Sequence, residues 1–248
     1  MSQVNTQLAY VLHKRQYSES SQILEVFTRD HGRLALMSRG SRGAKSKIAG
    51  NLQLFSPLLL NWQGKGSMPN LRSVERADIP PPKLSYKSLL SAMYINELLM
   101  YLLHRNDVYE TVFEHYHETL YALENAEKIE IELRKFEIKF IQLLGFGLLL
   151  DKEVDTGTAI SSDREYQYIV EHGLVVFQGL NQTKNVPSIP VLQGETVFAL
   201  VNESYDELAQ DQEKLQQLKR LMRYVIGHHL GGKVLKSREL FSQPGALR

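Results

Sequence analysis

"LRSVERADIPPPKLSYKSLLSAMYINELLMYLLHR", residues 71–105, is the stretch where the chain changes its period. Pro80, Pro81 and Pro82 each lack a backbone N–H and fix φ, so they cannot extend a helix or a central strand. "IPPPKLS" (79–85) reads as a short, stiff linker. Beyond it Leu89, Leu90, Met93, Tyr94, Leu98, Tyr101 and Leu102 recur at helical spacing. The boundary divides the chain into residues 1–79 and 80–248, with strands first and helices after, an α+β class.

Upstream lie five β-rich runs: "LAYVLHKRQ" (8–16), "SQILEVFTRD" (21–30), "HGRLALMSRG" (31–40), "LFSPLLLNW" (54–62) and "NLRSVERADI" (70–79). Five short strands in about eighty residues suggest a small closed barrel rather than a sandwich. Pro57 inside the fourth run points to an edge or a bulge there. Downstream, residues 85–105, 107–125 and 127–147 read as three amphipathic helices with short connections, a helical bundle whose third member closes at Gly145. "REYQYIVEHGLVVFQG" (164–179) reads as a hairpin turning at His172-Gly173. Helical spacing returns in residues 190–205 and 206–232, where the last helix should end at Gly231.

The chain has 248 residues, 43% apolar and 23% charged, enough for a real core without staples. It contains no cysteine, which excludes disulfides, thiolate zinc sites, iron–sulfur clusters and a cysteine nucleophile. The N-terminal residues do not read as a signal peptide, and "FIQLLGFGLLL" (140–150) is too short to span a bilayer. A soluble, intracellular protein with no membrane partner is expected.

A net charge of +1 hides an asymmetry. Residues 1–80 hold 11 Lys/Arg against 5 Asp/Glu, and the remainder 18 against 23. The excess concentrates in "MSRGSRGAKSKIAG" (37–50), where Arg39, Arg42, Lys45 and Lys47 stand among glycines with no acid between them. A nucleotide-cradling G-x-x-x-x-G-K-[ST] loop is excluded, because Ala44 separates Gly43 from Lys45 and a strand-like run follows. The remaining readings are a solvated surface loop or a cationic finger that meets phosphates. In the second, Lys14, Arg15, Arg29, Arg33, Lys65 and Arg72 add charge around it, as basic grooves on small barrels do for single strands. Among the aromatics, Phe27 and Phe55 belong to the core, while Tyr17 and Trp62 near strand ends stay open between core and stacking platform.

His115 and His117, two apart on a helix, face different ways, as do the adjacent His228 and His229, so neither a metal site nor a cofactor is expected. Catalytic patterns such as G-x-S-x-G, H-E-x-x-H or paired carboxylates do not occur, and no enzyme is expected. In "LRKFEIKF" (133–140), Arg134 and Lys135 flank the apolar stripe of Leu133, Phe136 and Phe140. Such a pairing suits an acidic peptide with a terminal hydrophobe, but the residues alone favour an ordinary helix whose cations pair with Glu130, Glu132 and Glu137. "LGGKVLKSRELF" (230–241) places Lys233, Lys236 and Arg238 after two glycines, as a helix C-cap with dipole-matched charge or as a second binding edge.

Taken together, "YVLHKRQYSESSQILEVFTRDHGRL", "SRGSRGAKSK", "LQLFSPLLL", "LRSVE", "YINELL", "LRKFE", "LLGFG" and "LGGKVLKSREL" run in order over nearly the whole chain and resemble the RecO family of bacterial recombination mediators. The resemblance implies an N-terminal OB-fold barrel on residues 1–79 and a larger, mainly helical C-terminal domain on residues 80–248 that carries a small hairpin and binds partners. It implies binding of single- and double-stranded DNA through Arg33, Arg39, Arg42, Lys45, Lys47, Lys65 and Arg72, and annealing of complementary strands. Further implied are pairing with RecR, capture of the acidic C-terminal tail of single-stranded-DNA-binding protein, indirect help to RecA, and a cytoplasmic, nucleoid-associated location. By motif, Arg134 and Lys135 fall where the tail would be received, with Lys233, Lys236 and Arg238 as further candidates. Many members carry a four-cysteine zinc site in the C-terminal half; this chain has no cysteine, so residues 151–180 are expected to be held by packing instead. The alternatives are an RNA-binding barrel, a protein adaptor with incidental DNA affinity, and an enzyme with a cryptic site in residues 150–230.

Overall fold

The computed structural model describes residues 3–41, 48–124, 127–179 and 189–241, and of Leu240 and Phe241 the backbone alone. The chain forms two compact units, Met1–Asn125 with Leu235–Arg248, and Ala126–Val234.

In the first unit, strands β1 (Gln3–Gln16), β2 (Gln22–Thr28), β3 (Gly32–Ser38), β4 (Leu58–Gln63) and β5 (Asn70–Arg76) close a barrel in the order β1-β2-β3-β5-β4. One long strand does the closing: the first half of β1 pairs with β4, from Gln3 opposite Gln63 to Ala9 opposite Leu58. Its second half pairs with β2, from Ala9 opposite Thr28 to Gln16 opposite Gln22. Irregularities at Val4/Gln7 and Val11/His13 give the strand the extra bend that closure needs. Of the edge or bulge expected in the fourth run, the edge does not occur, and an irregularity of register falls further along, between Asn61 and Trp62. Pro57 lies just before β4, its missing N–H falls outside the ladder, and β4 pairs with neighbours on both sides.

Every residue of β2 except Gln22 is buried, because both faces of the strand are covered. Leu24 and Val26 join Val11, Leu36, Leu60 and Trp62 in the barrel interior. The outer face packs against helices α1 (Tyr86–Leu102) and α2 (Glu110–Ala122). Tyr10 lies 5.1 Å from Tyr116, ring edge to ring face, and Phe27 lies 5.3 Å from Phe113. The break in β1 leaves Leu12 out of the ladder with β2. A buried carbonyl needs a partner, and Asn96 of α1 supplies it, donating to Leu12 O at 3.0 Å while accepting from the Tyr116 hydroxyl at 2.7 Å. Burial pushes the Tyr116 phenol well above its ordinary range, so it remains a donor. At the β2–β3 turn, Gly32 has φ +64° and a Cβ there would fall 1.7 Å from Asp107 O. Only glycine permits the turn to press on the α1–α2 connector, where Asn106 N–H donates to Arg33 O at 2.8 Å.

The helices after the linker therefore do not form a single bundle. The apolar faces of α1 and α2 cover the barrel, and α3 (Ile129–Leu143) belongs to the second unit. There α3 packs with α6 (Gln212–His229) beside a sheet of β6 (Glu165–Ile169), β7 (Gly173–Val176) and β8 (Val191–Gln193) in the order β7-β6-β8. The hairpin at His172-Gly173 is as the sequence predicts. The helix expected from residue 190 instead begins with β8, and α4 (Gly194–Val201) follows. The long terminal helix is divided into α5 (Tyr205–Gln210) and α6 by Asp211, whose carboxylate caps α6 by accepting from the N–H groups of Glu213 and Lys214.

Residues 151–176 are held by more than packing. The Glu153 carboxylate is buried and accepts from Thr156 Oγ1 at 2.8 Å, Arg164 at 3.0 Å and the Tyr166 hydroxyl at 3.1 Å. Its backbone N–H donates to Thr158 O, and the N–H of Val154 to Leu174 O, both at 2.9 Å. The Thr156 hydrogen bond leads the effects that hold this carboxyl below the usual range, with Arg164 adding a favourable charge.

Two outcomes follow from these contacts. Asn96→Leu strands the Leu12 carbonyl and the Tyr116 hydroxyl, and should destabilise the first unit by about 2–3 kcal/mol; urea unfolding followed by the fluorescence of Trp62, the chain's one tryptophan, measures it. Because the folded Glu153 pKa is depressed, its stabilising contribution is present above the unfolded value of about 4.3 and is lost as pH falls through the folded value. Glu153→Gln should lower the thermal midpoint at pH 7 and flatten its decline below about pH 4; a wild-type slope retained in the variant would assign the acid sensitivity to other groups.

Candidate nucleic-acid interface

Strand register brings the basic segments of the barrel to one end. Gln16 of β1 is opposite Gln22 of β2, and Gln22 is opposite Ser38 of β3. Met37 in turn is opposite Asn70 of β5, with Met37 N–H donating to Pro69 O at 2.8 Å. The end of β1, the β1–β2 turn, the loop leaving β3 and the β4–β5 hairpin are thus neighbours. With strands about 4.8 Å apart, Arg15, Arg39 and Arg72 lie within a few strand spacings of the line through Ile23, Met37 and Asn70.

Both roots of the glycine-rich loop are pinned. At its entry, Ser41 Oγ donates to Ser38 O at 3.0 Å and accepts from Gln22 Nε2 at 2.9 Å. At its exit, the N–H groups of Asn51 and Leu52 both donate to Ile48 O, and the Leu52 side chain enters the barrel core. Arg42, Lys45 and Lys47 lie outside the described residues.

Arg39 and Lys65 are exposed, the latter at the tip of the β4–β5 hairpin. Arg72 donates to Gln63 Oε1 at 2.7 Å and Lys14 to Leu52 O at 2.9 Å, both neutral acceptors that leave the charge undiminished. Arg33 has a different fate. Its guanidinium meets Glu25 at 3.0 Å and Leu103 O at 3.0 Å, only 12% exposed, and burial lowers its pKa. Glu25 also receives Arg105. Arg29 pairs with Glu110 and Glu114, at 2.9 and 3.0 Å. Cations on the helix-covered side are matched by carboxylates, so we leave Arg33 and Arg29 out of the interface. Phe27 and Phe55 are buried as the sequence suggests. Of the aromatics left open, Trp62 is buried, while Tyr17 is 64% exposed in the β1–β2 turn beside the loop root. Its place among "SES" residues at a strand end was the available signal.

In the second unit, Arg134 is almost wholly buried and pairs with Glu137 at 2.9 Å. Lys135 pairs with Glu132 at 2.7 Å and lies 5.4 Å from the Tyr205 ring centre, with about a third of its side chain exposed. Of the late motif, Lys233 and Lys236 are exposed. Arg238, on the short helix α7 (Ser237–Phe241), stands over the Tyr94 ring at 5.8 Å. Glu97 accepts from the backbone N–H groups of Lys236 and Ser237, both at 2.9 Å. The two motifs "YINELL" and "LKSREL" therefore meet in space, which neither announces alone.

The zinc site that many members of the resembled family carry does not fit these residues. Thiolate ligands are absent from the sequence, and among the described residues no group of three His, Asp or Glu is placed to hold a metal ion. No described helix is long and apolar enough to cross a membrane.

A five-stranded barrel closed in this strand order belongs to the OB-fold class of small barrels. The family model "Recombination protein O N terminal" matches residues 1–80, and "Recombination protein O C terminal" matches residues 84–239. The chain is 39% identical over 232 residues to the DNA repair protein RecO of Coxiella burnetii (strain RSA 331 / Henzerling II), covering 94% of this chain and 95% of that one. It is 38% identical to that of Methylococcus capsulatus (94% and 91% covered) and 36% identical to that of Azoarcus sp. (97% and 96% covered). The chain belongs to the RecO family of DNA repair and recombination proteins.

Proposed function

We propose that this protein is a non-enzymatic mediator in the cytoplasm that binds single- and double-stranded DNA, anneals complementary strands and helps RecA load onto DNA coated by single-stranded-DNA-binding protein. The observation that carries the reading is the convergence of Arg15, Arg39 and Arg72 at one end of the barrel; Arg42, Lys45 and Lys47 follow Arg39 in the sequence and are proposed to act with them. Two strands repel through their phosphates, and a cationic surface that displaces counterions from both lets their bases meet. Nothing in that mechanism breaks a covalent bond. Tyr17 supplies an exposed ring on which a base can stack.

RecR and the acidic tail of single-stranded-DNA-binding protein are the proposed protein partners, and RecA an indirect one. The burial of Arg134 moves tail contact to Lys135, with Arg134 fixing the shape of α3 through Glu137. Lys233 and Lys236 are exposed candidates for the same acidic partner. An RNA-binding barrel would show no preference for DNA when matched DNA and RNA oligonucleotides compete.

Contact with six phosphates sets a slope of about −4 for log affinity against log salt on single strands. A slope near zero would remove the cationic end from the mechanism. Reversing Arg39, Arg42, Lys45 and Lys47 together should abolish annealing while circular dichroism stays unchanged; full annealing by that variant would acquit the loop. For the tail, Lys135→Glu should weaken binding of an acidic tail peptide about five- to tenfold, or about 1 kcal/mol, and leave oligonucleotide affinity unaltered.

A further inference from the structure

The first unit holds a cleft of about 370 Å³ between the β2–β3 turn, the β4–β5 hairpin and the α1–α2 connector. Its floor is apolar, made by the buried Trp62 and Leu34. His31, half-buried, stands edge to face with Trp62 at 5.3 Å between ring centres. The rim carries Asp30, Asn106 and Lys65, all exposed. Gly64 and Gly66 line the hairpin side and add no side chains to narrow it.

The walls are fixed before any ligand arrives. Thr28 Oγ1 donates to Gly32 O at 2.9 Å and accepts from His31 N–H at 3.1 Å, which sets the turn. Gly32 then presses on Asp107, and Asn106 N–H holds Arg33 O. On the other side, Pro69 O is held by Met37 N–H. Preorganised walls lower the ordering cost of binding.

From this geometry we infer that the cleft binds one unstacked nucleobase of a single strand. A base has a planar apolar face and an edge with both donors and acceptors. The cleft answers with the half-buried His31 ring standing over a floor of Trp62 and Leu34, with the exposed Val108 in its lining, and with a rim of one acceptor (Asp30), one donor (Lys65) and one amide that does both (Asn106). A free phosphate would meet Lys65 but be repelled by Asp30. An aliphatic side chain would strip water from the rim without replacing its hydrogen bonds. The volume falls within the range of small-ligand sites. From Leu34 to Arg39 is five residues along β3, roughly 17 Å, so a base seated here belongs to a strand whose next phosphates reach the cationic end. The inference rests on the DNA-binding reading and adds a place where the base, not the backbone, is gripped.

Trp62 is the sole tryptophan and forms the floor, so its emission reports the cleft directly. The full chain is titrated with a fluorescein-labelled single strand of mixed sequence and with an abasic strand of equal length, following oligonucleotide anisotropy and, with unlabelled strands, Trp62 emission. The expected result is a saturable change in Trp62 emission with the base-bearing strand and none with the abasic strand, although both raise anisotropy. Asn106→Gly, which keeps the left-handed backbone found there at φ 63°, and His31→Ala should each weaken the base-bearing strand about five- to tenfold and leave the abasic strand unaffected. Trp62 emission that ignores a bound base-bearing strand, or responds equally to both strands, overturns the cleft while the cationic end survives. If neither strand raises anisotropy, the DNA-binding reading falls and the cleft falls with it.

Discussion

The whole first unit depends on burying both faces of the β1–β2 ribbon. The inner face builds the barrel core; the outer face, led by Tyr10 and Phe27, is covered by α1 and α2. Burying a ribbon twice makes any irregularity in it costly, because a carbonyl outside the ladder can no longer turn to water. The barrel still needs the bend in β1 to close. Asn96 reconciles the two requirements by taking up the Leu12 carbonyl and passing the network on to Tyr116. Strand, first helix and second helix are thereby set at once by one amide.

The same covering decides where charge can act. Arg29, Arg33 and Arg105 lie on the helix side and are matched by Glu25, Glu110 and Glu114. Pairing of this kind neutralises a cation without freeing it for a ligand. At the opposite register of the barrel, Lys14 and Arg72 donate to neutral oxygens and Arg39 faces solvent, while Lys65 stands exposed on the rim of the cleft beside Asp30. Among the described residues, the basic excess of the first eighty is therefore sorted by the fold into cations paired with carboxylates and cations that keep their charge uncompensated.

The parts legible in the sequence are those governed by local period and by residues that cannot adapt. Pro80–Pro82 ended the strands, the helical spacing from Leu89 onward marked α1, and the five β-rich runs marked the barrel. What stayed hidden depends on residues far apart. Arg33 reads as a surface cation until Glu25 and the Leu103 carbonyl are brought beside it. Arg134 sits in an apolar stripe either as a ligand-binding cation or as an internal ion pair, and only tertiary packing chose Glu137. Glu153 has no periodic signature at all; its role comes from a hydroxyl, a phenol and a guanidinium that converge from residues 156, 166 and 164. The cleft beside Trp62 is assembled by three loops and has no motif of its own.

The late basic motif shows how structure can dissolve a choice the sequence left open between a helix cap and a binding edge. A helix of five residues does not stand alone in water, and the first N–H groups of any helix need acceptors from outside it. For α7 these come from α1: Glu97 takes the N–H groups of Lys236 and Ser237 and the Ser237 hydroxyl, placing an anion where the helix dipole favours one. Arg238 settles over Tyr94, one turn away on α1. "YINELL" therefore serves two clients, with Asn96 facing β1 and α2 and Glu97 facing the returning chain end. The chain leaves the first unit near residue 125 and comes back at Leu235. An anchor made of one carboxylate and three donors closes that excursion, so the motif's serine and backbone N–H groups are occupied in holding the chain end. Lys236 is thus held by its backbone while its side chain, like that of Lys233, is exposed.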